Sequence, residues 1–326
     1  MARLGNIFSI LFLTSALAAI VATGWLVREI KAPGPLGAEK LVYVRPGSSL
    51  QEITAKLLEA EAIRNGTVFL IAARWRSGEG YFRAGEYNFP AGISISDVIA
   101  LLQSGQTWQR KITIPEGLMI VEITALLQNE AALDGSIDAS PPEGSLLPET
   151  YNFSYGDTRQ SIIERMKKSM QKELDARWEK RAAGLPLKTP QEAVVLASVV
   201  EKETGLAAER PRIAGVFINR LNQGIPLQSD PTVIYALTLG RERLNRALTH
   251  QDLKMPSAYN TYSVAGLPPA PIANPGKASL AAVMNPEKNG YIYFVADGSG
   301  GHVFARTLKE HNNNVAQWRK AQKKPK

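Results

Sequence analysis

The sequence predicts an α+β protein behind a single N-terminal transmembrane helix. Three features carry that expectation. An uncharged apolar run extends from Phe8 to Val27, three glycine-led amphipathic segments follow, two of them after strand-like runs, and the C-terminal half alternates helical periodicity with polar, aromatic loops. The chain has 326 residues, enough for one large or two ordinary domains with a real core. Hydrophobic residues at 44% and charged residues at 21% describe an ordinary globular composition.

The apolar run is interrupted only by Ser9, Thr14, Ser15, Thr23 and Gly24. About 20 such residues suit the roughly 30 Å hydrocarbon layer of a bilayer. A cleaved signal has a shorter apolar core of about 7–15 residues, so residues 1–30 read as a cytoplasmic N-terminus and retained anchor, although Ala16-Leu17-Ala18 imitates a cleavage site. Arg3 before the span and Arg28 and Lys31 after it leave the charge rule undecided. The short N-terminus and large C-terminal body favour an outward-facing body. Residues 31–40, rich in Pro and Gly, read as a linker of at most about 33–36 Å when extended.

Region 41–142 contains a weak repeat beginning at Gly47, Gly92 and Gly117. Each glycine is followed by an apolar residue at +3, an acid at +5 and apolar residues at +6, +8 and +10. Leu41–Val44 and Lys111–Ile114 precede two of the copies, so a strand, a glycine turn and an amphipathic helix explain the pattern. Three similar helix starts in an α+β domain account for this as well as a LysM-like glycan-binding unit does.

The net charge of +8 suits nucleic acid, anionic lipid or an acidic polymer. Part of it sits in a polar tail, Arg319, Lys320, Lys323, Lys324 and Lys326, and no nucleic-acid motif accompanies it, so no nucleic-acid partner is expected. Cysteine is absent, which excludes disulfides, thiolate metal sites and cysteine nucleophiles. His250, His302 and His311 lack metal-ligand spacing, and neither a Gly-x-Ser-x-Gly elbow nor a phosphate loop occurs. No metal or organic cofactor is indicated.

Region 143–326 reads as a second domain. Asp157–Lys180 repeats Ile162, Met166, Met170 and Leu174 every four residues, the stripe of a core-facing helix. Thr189-Pro190-Gln191-Glu192 is a capping box with proline at the first helical position, and Gly205 supplies the stop. Helical spacing sets Glu201 on the face of Val194, Ala197 and Ser198, while Lys202 and Glu203 point elsewhere as a surface or supporting pair. A carboxylate ending an apolar stripe near a helix C-terminus is disfavoured by desolvation and by the helix dipole, which suits a general acid. A buried glutamate paired with an arginine such as Arg220 fits the same geometry.

Polar groups then cluster at Asn219-Arg220, Gln228-Ser229-Asp230, Ser257–Tyr262 and Gly266–Gly276. Their amides, hydroxyls and flat rings are what a sugar-binding cleft requires, and turn chemistry selects the same residues. Tyr291–Ala296, Asp297–Gly301 and His302–Ala305 read as a plain hairpin.

Val200-Glu-Lys-Glu-Thr204, Val216–Leu221, Gln228–Tyr235, Tyr259-Asn-Thr-Tyr262 and Gly266-Leu-Pro-Pro269 together resemble the endolytic murein transglycosylases, the MltG or YceG-like family. The resemblance covers essentially the whole chain: an anchor, a LysM-like subdomain and a YceG-like catalytic domain over 143–326. It implies a peptidoglycan lytic transglycosylase of the bacterial inner membrane, with its catalytic domain in the periplasm. Such an enzyme cuts MurNAc-β-1,4-GlcNAc bonds within strands and leaves 1,6-anhydro-MurNAc ends. The resemblance implies Glu201 as the catalytic residue. It implies Asn219, Arg220, Gln228, Asp230, Tyr235, Tyr259, Asn260, Thr261 and Tyr262 as substrate-binding or supporting residues. Glycan strands, a membrane reached through one helix and peptidoglycan synthases are the implied partners. Two other readings stay open, a hydrolytic muramidase using Asp230 and a non-catalytic glycan-binding scaffold.

Overall fold

The computed structural model describes residues 2–76 and 81–322, with side chains over 9–75 and 81–320. Lys323, Lys324 and Lys326 of the basic tail, and the side chains of Arg3 and Phe8, lie outside the described residues. The fold is mixed α+β, and packing divides it into one unit of Met1–Arg110 with Asn152–Tyr155 and a second of Lys111–Tyr151 with Gly156–Lys326.

The first unit opens on helix α1 (Ala2–Lys31). Over Ser9–Lys31 its mean hydropathy is 2.2, long and apolar enough to cross a membrane. Leu26 and Ile30 near its end pack against the unit's core. The segment expected to be a linker is fastened to that core as well. The Gly34 amide donates to the Gly92 and Ile93 carbonyls at 3.2 and 3.1 Å, the Gly92 amide donates to the Leu36 carbonyl at 2.8 Å, and the Leu36 side chain is buried. A Cβ on Gly34 would stand 2.4 Å from the Ile93 carbonyl oxygen. Glycine here permits a close backbone approach, so the composition that suggested flexibility has another cause.

Strands β1 (Lys40–Val44) and β2 (Gly85–Phe89) pair antiparallel, Lys40 opposite Phe89, across helices α2 (Leu50–Glu59) and α3 (Gly66–Arg76). Leu57, Phe69, Tyr87 and Phe89 fill the core beneath them, joined by Ile99 and Leu102 of α4 (Ile95–Ser104).

The repeat is structural. Helices α2, α4 and α5 (Ile120–Asn129) each begin three residues after a left-handed glycine, with φ of 78° at Gly47, 68° at Gly92 and 75° at Gly117. The acid at +5 is the third helical residue, where it can accept from a cap. Glu52 accepts from the Ser49 amide at 2.6 Å, Glu122 from the Met119 amide at 3.0 Å, and Asp97 from the Ser94 hydroxyl at 2.7 Å. The second copy also follows a strand, β2, whose Gly-Glu-Tyr-Asn-Phe sequence gives little apolar signal.

Strands β3 (Arg110–Thr113) and β4 (Thr150–Phe153) form a two-stranded ribbon, and the rest of the second unit is mainly helical. Helix α6 (Arg159–Glu179) turns Ile162, Met166, Met170 and Leu174 inward as expected. Helix α7 (Pro190–Glu203) is the centre of the unit. Thr189 caps it by accepting from the Glu192 amide at 3.1 Å, while Glu192 reaches past the cap to the Lys188 amide at 2.5 Å. Helices α6, α8 (Arg210–Asn222), α9 (Asp230–Thr238) and α10 (Lys277–Met284) all pack on it. Every residue from Ala193 to Val200 is consequently buried, so α7 has no exposed side against which a single apolar stripe could be defined. The hairpin of β5 (Tyr293–Ala296) and β6 (His302–Ala305) and helix α11 (Leu308–Gln322) complete the unit.

Candidate functional site

Helix α7 delivers two carboxyl groups from its last turn into different surroundings. Glu201 is 9% exposed, and both its oxygens are engaged: Oε1 accepts from Arg210 Nη2 at 2.8 Å and Oε2 from the Gly276 amide at 2.9 Å. Arg210 also donates to Glu116 Oε2 at 3.0 Å. Gly117 and Gly276 make this network possible. A Cβ on Gly117 would meet Glu201 Cγ at 3.3 Å, and one on Gly276 would overlap Glu116 at 1.8 Å. The partner of Glu201 is thus Arg210, not Arg220.

Glu203, expected as a surface or supporting residue, faces a cleft of about 560 Å³. Its Oε2 accepts from the Ser229 hydroxyl at 2.8 Å. Burial pushes its carboxyl up to about 7; Asp230 pushes the same way, against the Ser229 bond and the charges of His302 and Arg220. Gln228, Asp230, Tyr262, Arg220 and His302 line the same cleft. Tyr262 donates to Asp230 Oδ1 at 2.6 Å, and burial together with that bond pushes the phenol's pKa up. Arg220 donates to the Ile292, Pro226 and Leu227 carbonyls and to Gln228 Oε1, which fixes one wall.

The remaining expected site residues hold the walls together. Thr261 is buried and ties two loops, accepting from the Ser229 amide at 3.0 Å and lying 2.8 Å from the Thr232 hydroxyl. Asn260 is buried and spends its amide on the Leu253 and Met255 carbonyls, while its oxygen accepts from the Tyr262 amide. Asn219 donates to the Asn289 and Tyr291 carbonyls, away from the cleft. Tyr259 packs against Tyr235 with ring centroids 4.9 Å apart and planes inclined by 50°. Tyr235 lines a second cleft of about 450 Å³ with Glu116, Lys202, Ile234 and Arg243.

The hairpin turn, unremarkable in sequence, is built around Asp297. Its Oδ1 accepts from the Ser299 and Gly301 amides at 2.7 and 3.1 Å and from the Ser299 hydroxyl at 2.8 Å. The turn presents His302 to Glu209, just ahead of α8. Among the described residues, no cluster of three or more His, Cys, Asp or Glu could hold a metal ion.

A helix buried from Ala193 to Glu201 thus ends on two differently held carboxyls, one of them opening on a polar and aromatic cleft, the kind of place in which proton-transfer sites are built. The chain belongs to the YceG-like family, which it matches over residues 42–317. It is 32% identical over 304 residues to the endolytic murein transglycosylase of Bacillus subtilis, spanning 83% of this chain and 82% of that protein. The protein of the same name from Streptococcus pneumoniae is 30% identical over 334 residues, spanning 87% of this chain and 60% of that one. The crystal structure of a YceG-like protein from Listeria monocytogenes aligns with a TM-score of 0.50 at 29% identity, covering 85% of this chain and 99% of that one.

Proposed function

We propose that this chain is an endolytic peptidoglycan lytic transglycosylase, a carbon–oxygen lyase that cleaves MurNAc-β-1,4-GlcNAc bonds within glycan strands. The observation that carries the reading is the Glu203 carboxyl, pushed to about 7 in a cleft with Asp230, Tyr262 and Gln228. A carboxyl that keeps its proton near neutral pH can protonate the leaving glycosidic oxygen. The C1–O4 bond then breaks. The C6 hydroxyl of the same MurNAc attacks C1, a base takes its proton, and a 1,6-anhydro ring closes. Glu203, left ionised by the first step, is one available base.

Glu201, the residue to which the motif points, keeps a supporting part in this proposal. Its oxygens are occupied by Arg210 and Gly276, and that network braces the last turn of α7 and the Gly276 loop. The names of the relatives support the reaction class. The span-length apolar helix supports anchoring in the bacterial inner membrane with the catalytic unit in the periplasm, where the enzyme would release or terminate nascent strands beside their synthases. The β1–α2–α3–β2 order supports a LysM-like, glycan-contacting role for the first unit.

A muramidase reading rests on Asp230, a second carboxylate in the cleft of Glu203, since hydrolysis ordinarily uses two. Mass spectrometry of glycan strands digested by the full chain separates the cases. Anhydro-MurNAc ends that vanish in Glu203→Gln, and persist at reduced rate in Glu201→Gln, support the proposal. Reducing ends would make the protein a hydrolase. Full loss in Glu201→Gln with activity in Glu203→Gln would return the acid to Glu201.

A further inference from the structure

His302 is held with more care than a hairpin residue needs. Its ring Nδ1 lies 2.9 Å from Glu209 Oε2, and its backbone amide donates to Glu209 Oε1 at 2.9 Å, so one carboxylate grips the residue at both ends. Thr204, just beyond α7, approaches Glu209 Oε2 at 3.4 Å. Burial alone would raise the Glu209 carboxyl, but the bonds and charge of His302, with Thr204, hold it below the usual carboxylate value. Glu209 is therefore the acceptor, and Nδ1 carries the proton. The approach is tight: a Cβ on Gly301 would come within 3.0 Å of both Glu209 Oε1 and Asp297 Oδ2. Phe294 closes one side of the ring with its own ring edge-on at 5.3 Å.

With Nδ1 committed to Glu209, the neutral form of the ring would keep its lone pair on Nε2, and His302 lines the cleft that Glu203 faces. Among the described residues no protein group bonds to Nε2. A carboxylate on Nδ1–H and an Nε2 with no protein partner, on a histidine that lines a cleft, is the arrangement by which a histidine accepts a proton from a hydroxyl. We propose that His302, oriented by Glu209, is the base of the ring-closing step, a catalytic role that rests on the transglycosylase reading above.

The step balances. Glu203 gives its proton to the departing O4 as the C1–O4 bond breaks. As O6 bonds to C1, the O6 proton passes to His302 Nε2. The imidazolium then returns that proton to the Glu203 carboxylate in the same cleft, and the net change is one proton moved from O6 to O4. Two groups on separate elements can reach O4 and O6 at once, whereas a lone carboxyl must serve both oxygens in turn.

The test measures anhydro-end formation by the full chain in detergent, with uncrosslinked glycan strands as substrate. His302→Asn retains a donor for Glu209 but lacks the cleft nitrogen. His302→Ala opens a space that free imidazole can fill. The expected result is a kcat loss of about 10²–10⁴-fold in His302→Asn, with KM and melting temperature unchanged. Activity of His302→Ala should also rise with added imidazole. Wild-type kcat in His302→Asn, or an inactive His302→Ala that imidazole never restores, would overturn the role. If the wild-type chain forms anhydro ends and Glu203→Gln does not, while His302→Asn is unaffected, this inference alone fails. If the wild-type chain forms none, the transglycosylase reading fails and this step falls with it.

Discussion

The Ser229 hydroxyl donates a 2.8 Å hydrogen bond to Glu203 Oε2, and through it the loop before α9 sets how readily the carboxyl at the end of α7 holds its proton. The bond favours the ionised form, so it opposes the burial that raises this carboxyl to about 7. Ser229→Ala removes the opposing effect. Activity that requires protonated Glu203 falls as pH rises through that value. In Ser229→Ala the alkaline limb should move upward by about one pH unit, given roughly 1.5 kcal/mol for a hydrogen bond to a charged group. A pH–rate profile of the variant against wild type checks it; an unmoved or downward-shifted limb would show that Glu203 does not govern it.

Stability should also depend on pH in a defined direction. Burial raises both Glu143 and Glu203 from 4.5 to about 7. A carboxyl raised on folding stabilises the native chain fully below its unfolded value, and that stability is lost as pH rises through the folded one. The window is therefore 4.5 to about 7, with a loss of up to about 3 kcal/mol per group across it. Glu143→Gln can keep the bonds that Oε1 accepts from the Ile120 amide and from Asn274. Urea midpoints measured from pH 4.5 to 8 should decline less steeply in this variant than in wild type.

Gly215 lies inside α8, where alanine would ordinarily add about 1 kcal/mol of helix propensity. Here a Cβ would stand 2.4 Å from the Glu287 carbonyl oxygen and 2.7 Å from Asn289 Nδ2. Gly215→Ala should therefore destabilise, by about 2 kcal/mol or more, because backbone must move to admit it. A urea midpoint at or above wild type would contradict the packing.

The segment after α1 yields a fourth expectation. Leu36 belongs to the first unit's core, so Leu36→Ala should cost about 2–5 kcal/mol, although the residue lies in a Pro/Gly stretch. Limited proteolysis within residues 32–39 and over the β1–β2 region should speed up in the variant. Unchanged cleavage would return the stretch to the status of a loose tether.

Much of the scaffold was legible because it is local. The three glycine-led helix starts, the Thr189 cap and the stripe of α6 depend on residues within a few positions of each other, and the spacing carries them. The site was less legible because its contacts are not local. A helical wheel can separate Glu201 from Glu203 only if the helix has an inside and an outside, and α7 is enclosed by four others. Arg210 as the partner of Glu201, and Ser229 and His302 around Glu203, become neighbours only when α8, the loop before α9 and the hairpin close around the last turn. Asn260 and Thr261 are expected from sequence either to bind substrate or to support the site, and sequence does not divide the two because buried fasteners and sugar contacts draw on the same amides and hydroxyls.

Fusing α1 to the first unit makes the apolar helix a bearing as well as a tie. A flexible string would hand on position but no direction, whereas a helix whose last turn is seated in the core transmits its own phase. One residue inserted in α1 ahead of Leu26 would turn the first unit by about 100° and shift it about 1.5 Å relative to the start of the helix. The face that this unit presents is thus written into the helical count of its apolar segment, and a change there would redirect it without touching any of its surface residues.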